Sequence, residues 1–156
     1  MNQRVKISKK ISSWTLAVIL FIAATVGLWA RGGGANGPEK PLRVVVHVNF
    51  GDAGRQGHGL KNVENILKAA DVAGTACEVE VVCHSDGIVL LEKAKTTHAA
   101  PVELLQKKGV RFAACENTMR QRSIRPEDLL PTVTTVPSGA FEVVRRQQDG
   151  FSYFKP

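Results

Sequence analysis

The chain has 156 residues, 44% hydrophobic and 22% charged. That is the composition of one ordinary folded domain, apolar enough to form a core without disulfide staples. The formal charge of +7 is concentrated at one end: Arg4, Lys6, Lys9, Lys10 and Arg31 flank the first hydrophobic stretch, and without those five the 21 Lys and Arg nearly balance the 14 Asp and Glu. So weak a basic excess, with no nucleic-acid-reading motif, excludes nucleic acid as an expected partner.

Trp14 to Ala30 run without a charge, close to the length that crosses a bilayer core as a helix. Trp14 and Trp29 stand at its ends, where amphipathic rings prefer the interface, and the basic residues before it keep the N-terminus inside and export the rest. Residues 1–30 are therefore expected to be a signal anchor that places the remainder on the periplasmic or other extracytoplasmic side of the cell membrane. A cleaved signal peptide, releasing the domain to the periplasm, is the other reading. Thr25 and Gly27, or Gly33 and Ala35, supply small residues for a cut, and neither pair makes a strong site. Residues 31–42, rich in Gly and Pro, read as a flexible linker. Residues 43–156 are left as the folded domain.

In that domain Val44, Val45, Val46 and Val48 form a β-branched run that reads as a buried strand, with His47 inside it as a hydrogen-bonded core residue. Phe50 to Gly59 reads as a glycine-rich turn. Leu60, Val63, Ile66, Leu67 and Ala70 then recur at helical spacing up to Gly74. Cys77 to Cys83 is a second strand and Ile88 to Ala94 a short helix. Pro101 opens another helix that Gly109 ends. Val110 to Cys115 is a third strand, followed by a helical turn or two from Glu116 to Arg122 and a short helical piece at Pro126. Val133 to Val136 is a fourth strand, Ser138 caps a helix that Gly150 stops, and Phe151 to Phe154 is a fifth strand. Strands alternating with helices predict an α/β domain with a parallel sheet covered on both faces.

In such a sheet, ligands bind beyond the carboxyl ends of the strands. Three polar loops are expected to converge there: Asn49 to His58, Cys83 to Asp86, and Cys115 to Met119. Cys115 is the sharpest candidate. It ends a strand and begins a helix, where the positive end of the helix dipole favours the thiolate, the nucleophilic form. A structural, partly buried cysteine is the competing reading. Cys83 holds the equivalent place one strand earlier and is a possible second thiol, although a core role suits it better. Cys77 begins its strand and reads as structural. The spacing of Gly51, Gly54, Gly57 and Gly59 suggests an anion cradle in which Gly54, Arg55, Gly57 and His58 take part; a turn with glycines at positive φ is the alternative. His98 reads as a surface residue between helices. No C-x-x-C, zinc spacing or cofactor fingerprint occurs, so no metal and no cofactor are expected.

The segments Cys115-x-Asn117-Thr118-Met119 and Val136-Pro-Ser-Gly139, with Leu129-Leu-Pro131 between them and the ending Glu142-Val-Val-Arg145 through Phe154-Lys-Pro156, resemble the DsrE/DsrF-like family, in its branch of single-domain members. The resemblance covers Arg43 to Pro156. It implies a three-layer α/β/α fold with a five-stranded, mostly parallel sheet, here preceded by one N-terminal hydrophobic helix. It also implies homo-oligomers, often trimers or hexamers, and a cysteine at the position of Cys115 that carries persulfide sulfur in a relay between donor and acceptor proteins. Such relays are cytoplasmic, whereas this domain is expected to be exported.

Two functions follow from these readings. In the first, a thiol-based sulfur-transfer or redox protein uses Cys115 as persulfide carrier or nucleophile, with Asn117, Thr118 and backbone amides stabilising the charge and Arg55 and His58 recruiting an anionic donor. In the second, the same rim belongs to a non-catalytic module that binds a small anion or metabolite in a membrane-tethered homo-oligomer.

Overall fold

A computed structural model describes residues 40–156. The hydrophobic stretch Trp14–Ala30 and most of the linker lie outside the described residues. Within them no helix is long and apolar enough to cross a membrane.

The chain runs β1 (Leu42–Val48), α1 (Ala53–Val72), β2 (Cys77–Cys83), a 3₁₀ segment (Ser85–Leu91), α2 (Ala99–Lys107), β3 (Arg111–Cys115), α3 (Glu116–Arg122), a 3₁₀ turn (Pro126–Asp128), β4 (Thr134–Val136), α4 (Gly139–Gln148) and β5 (Ser152–Phe154). The five strands form one sheet in the order β4-β3-β2-β1-β5, and every pairing in it is parallel. The α/β fold expected from the alternating pattern is the fold observed.

Right-handed crossovers decide which helix lies on which face. The steps β1 to β2 to β3 to β4 all move the same way across the sheet, so α1, α2 and α3 share one face. The step from β4 to β5 returns past three strands and puts α4 on the other. Side-chain alternation along β1 follows this division. Val44, Val46 and Val48 join Leu60 and Val63 of α1, Val102 and Leu105 of α2 and Met119 of α3 in the large core. Val45 instead meets Val82, Ala113, Val143 of α4 and Phe151 in a much smaller one. The second face is thus covered by a single helix. Phe141 and Val144 of α4 remain 66% and 51% exposed, and Tyr153 of β5 is 45% exposed.

Two local expectations change. The stretch from Phe50 is a turn only as far as Asp52, because the Asp52 carboxylate caps α1 by accepting from the Arg55 N–H at 2.7 Å and draws the following glycines into the helix. The short helix expected over Ile88 to Ala94 starts earlier and is wound more tightly, as the 3₁₀ segment Ser85–Leu91, with Gly87, Ile88, Leu90 and Leu91 buried.

Candidate active site at the ends of β3 and β4

The strand order fixes where a crevice must open. From β3 the chain turns to the face of α3, and from β4 to the opposite face with α4. Neighbouring strands whose loops part in this way form the switch point at which open α/β sheets bind ligands. Cys115, the last residue of β3, stands there and is only 4% exposed. It pairs in register with Val136 of β4, and the two helices that begin beside it present their first amides to its sulfur. Ser138 holds the start of α4 by accepting from the Phe141 N–H at 3.4 Å.

The backbone N–H groups of Gly139, Thr118 and Asn117 and the Thr118 hydroxyl face Cys115 Sγ and favour its thiolate. Burial alone pushes a thiol pKa up. Here the four donors outweigh that effect, Gly139 most strongly, and the thiol lies below its ordinary value. The other cysteines show the contrast. Burial pushes Cys77 up and Cys83 far up, with no hydrogen bond to offset it. All three are free thiols.

The crevice has no room to spare. A Cβ on Gly139 would come within 3.1 Å of Cys115 Cβ and 3.0 Å of His84 Cβ, so the α4 amide approaches the sulfur only because residue 139 lacks a side chain. On the other side, the Ser85 N–H donates to Thr118 Oγ1 at 3.0 Å, which leaves the Thr118 hydroxyl proton for the sulfur. Beyond Ser85 a row of side chains continues. His84 Nδ1 lies 2.9 Å from Ser85 Oγ, His84 Nε2 lies 2.6 Å from His47 Nε2, and His47 Nδ1 lies 2.9 Å from the Tyr153 hydroxyl.

The three polar loops do meet on one rim. A Cβ on Gly51 would touch Asp86 Cβ at 3.3 Å, and Ser85 is tied to Thr118 as described. A fourth loop, Pro137 to Gly139, completes the rim and was not among the expected site residues. Asn117 contributes its amide, while its side-chain oxygen accepts from the Arg120 guanidinium. Glu116 turns aside to accept from the Thr135 hydroxyl at 2.8 Å.

Cys83 does not join Cys115. It is fully buried in the large core and its register partner on β3 is Ala114, so the two thiols point to opposite faces of the sheet. The glycine-rich stretch also differs from a cradle. Gly54, Arg55, Gly57 and His58 lie inside α1, and the Arg55 N–H is taken by Asp52. The Arg55 guanidinium stacks over Phe50 at 3.9 Å and donates to the Pro156 carbonyl at 2.8 Å. Gly57 and Gly59 are small where His98 and Pro156 pack against the helix. His98 also holds the Ala53 carbonyl at 2.7 Å. Among the described residues no three His, Cys, Asp or Glu side chains gather as a metal site.

This arrangement defines an open α/β domain with a single activated cysteine at its switch point. The model of the DsrE/DsrF-like family matches residues 44–156, and the chain belongs to that family. It is similar to a solved structure of a protein of unknown function, MTH1491 from Methanobacterium thermoautotrophicum. The two are 35% identical, the match covers 74% of this chain and 99% of that one, and the TM-score is 0.69. No curated protein matches the chain.

Proposed function

We propose that this protein is a thiol-based sulfur carrier in which Cys115 holds sulfane sulfur as a persulfide. The observation that carries the reading is the set of four donors on Cys115 Sγ, which favours thiolate in a nearly closed crevice. The thiolate attacks the outer sulfur of a sulfane donor, the Sγ–S bond forms, and the donor's S–S bond breaks with its electron pair leaving on the donor. The same amides that hold the thiolate are placed to hold the persulfide anion. Membership in the DsrE/DsrF-like family supports the assignment. With Cys83 on the opposite face, a carrier fits the site better than an internal dithiol redox couple.

We further read the domain as exported and tethered through Trp14–Ala30, and as a homo-oligomer joined through the face that α4 covers only in part. The membrane placement is tested by a C-terminal alkaline phosphatase fusion, expected to be active and contradicted by activity of a cytoplasmic reporter at the same point. The carrier assignment is tested by mass spectrometry after incubation with polysulfide or thiosulfate. The native chain should gain sulfur and Cys115→Ser should not; a native chain that stays at its original mass refutes the assignment.

A further inference from the structure

The row Ser85–His84–His47–Tyr153 has an arrangement that packing alone does not require. The two imidazoles stack with their centroids 4.8 Å apart and meet nitrogen to nitrogen. A neutral imidazole carries one donor and one acceptor nitrogen, so the row has two consistent proton arrangements. Either every bond donates toward Tyr153, or every bond donates toward Ser85. Taking a proton at the Ser85 end and releasing one at the Tyr153 end converts the first into the second and strands no charge. Both ends reach solvent: Ser85 is exposed and Tyr153 is 45% exposed.

One end of this row adjoins the loops that hold Cys115. The Ser85 N–H holds the hydroxyl that donates to Cys115, and His84 packs with Cys115 against Gly139. Ser85 itself sits at φ +50°, a left-handed conformation that residues other than glycine adopt rarely and that clusters at functional sites. That turn brings its backbone to Thr118.

The carrier reading, on which this inference rests, leaves one chemical requirement unmet. When sulfur is handed on, Cys115 departs as a thiolate that its four donors already hold. An incoming alkyl thiol, however, has a pKa near 8.5 and arrives protonated at neutral pH. We propose that Ser85, His84, His47 and Tyr153 form a proton relay that deprotonates a thiol acceptor as it takes the sulfur from Cys115. The acceptor sulfur bonds to the outer persulfide sulfur as the Sγ–S bond breaks, and that electron pair returns to Sγ. The acceptor's proton passes to Ser85 Oγ while the Ser85 proton moves to His84 Nδ1. The His84 Nε2 proton moves to His47 Nε2, the His47 Nδ1 proton to the Tyr153 oxygen, and the Tyr153 proton to solvent. The products are an acceptor persulfide and Cys115 thiolate, with no external oxidant or reductant.

The surroundings of the row keep both imidazoles neutral. Burial first, and Lys155 beside the end of β5, hold both imidazoles below their ordinary pKa; for His47 the neighbouring His84 adds to the effect. With Tyr153 from β5, Lys155 after it and Cys115 from β3 around them, the pair is neutral at neutral pH and has acceptor capacity.

The test uses the full chain loaded with polysulfide and freed of excess, then unloaded either by cysteine or by sulfite, an acceptor that is already largely anionic. Mass spectrometry follows the sulfur. His84→Gln and His47→Gln should each slow unloading to cysteine by about a hundredfold, the low end of the range for general base catalysis, and leave unloading to sulfite within about twofold. In the variants the cysteine rate should climb about tenfold per pH unit with the thiolate fraction, whereas the native rate stays flatter near neutrality. Iodoacetamide labelling of Cys115 at the native rate confirms that the crevice is intact. Native cysteine rates in both variants overturn the relay, and so does equal loss toward cysteine and sulfite, which marks mere structural damage. A native chain that never gains sulfur overturns the carrier reading first and the relay with it.

Discussion

The Gly139 N–H faces Cys115 Sγ from the start of α4, and this contact is the strongest of those that lower the Cys115 pKa. It exists because α4 starts on one face of the sheet and α3 on the other, so both helix N-termini converge on one sulfur. Their amides otherwise have no intrahelical partner.

Gly139→Ala tests that contact. The added methyl would stand 3.0 Å from His84 Cβ and 3.1 Å from Cys115 Cβ, so α4 must shift outward. Overpacking of this kind costs about 1–3 kcal/mol. The variant should fold with reduced stability, and the pH midpoint of its Cys115 alkylation should rise as the amide withdraws. Urea unfolding and iodoacetamide rates against pH measure the two effects. A stable variant with an unchanged alkylation midpoint would show that Gly139 does not activate the thiol.

Much of this site is legible in the sequence, for identifiable reasons. The valine run Val44–Val48 and the alternation of strand with helix fix a parallel sheet, and a cysteine that ends a strand and opens a helix is visible as a candidate nucleophile. Gly139 is not visible in that way, because its role arises from a crossover that passes three strands. The His47–His84 pair is hidden for a related reason: His47 stands among valines and reads as core until β2 is laid beside β1. The glycine spacing after β1 misleads because one carboxylate, Asp52, turns a loop into a helix start. The close packing of Gly57 and Gly59 against His98 and Pro156 involves residues far away in the chain.

The three thiols should separate cleanly in reactivity. Cys115 should alkylate fastest near neutral pH, Cys77 more slowly, and Cys83 only on unfolding, since burial raises both of the latter and shields Cys83 completely. Oxidation should give no Cys83–Cys115 disulfide in the native fold, because the two side chains lie on opposite faces. Peptide mapping after timed labelling reads the order. Cys115 labelling last in the folded protein would contradict the activated-thiol assignment.

The exposed pair Phe141 and Val144 on α4 should drive self-association. Light scattering on residues 38–156 at micromolar concentration should report a trimer or larger. Phe141→Glu with Val144→Glu should shift it toward monomer with little change in secondary structure, since both side chains face solvent within one chain. A monomeric native domain would rule out this face as a self-association surface.

Stability should decline as pH falls from neutrality, and His47 sets the window. Burial, then His84 and Lys155, lower its folded-state pKa to about 4, against about 6.5 in the unfolded chain. Between those values the unfolded chain binds a proton that the folded chain refuses, so unfolding takes up protons and stability rises with pH. The contribution is fully present above about 6.5 and is lost progressively as pH falls toward about 4. His84, lowered by burial and Lys155, adds to the same slope. Glu142, whose pKa is lowered chiefly by its hydrogen bond to Arg145, loses its contribution only on further acidification, through the carboxylate range. Urea midpoints measured at several pH values should therefore fall steadily across this window for the native chain. His47→Gln, which removes the titrating ring and retains a hydrogen-bonding side chain, should flatten the fall. Identical slopes in the two proteins would mean that the imidazole row does not set the acid sensitivity of the fold.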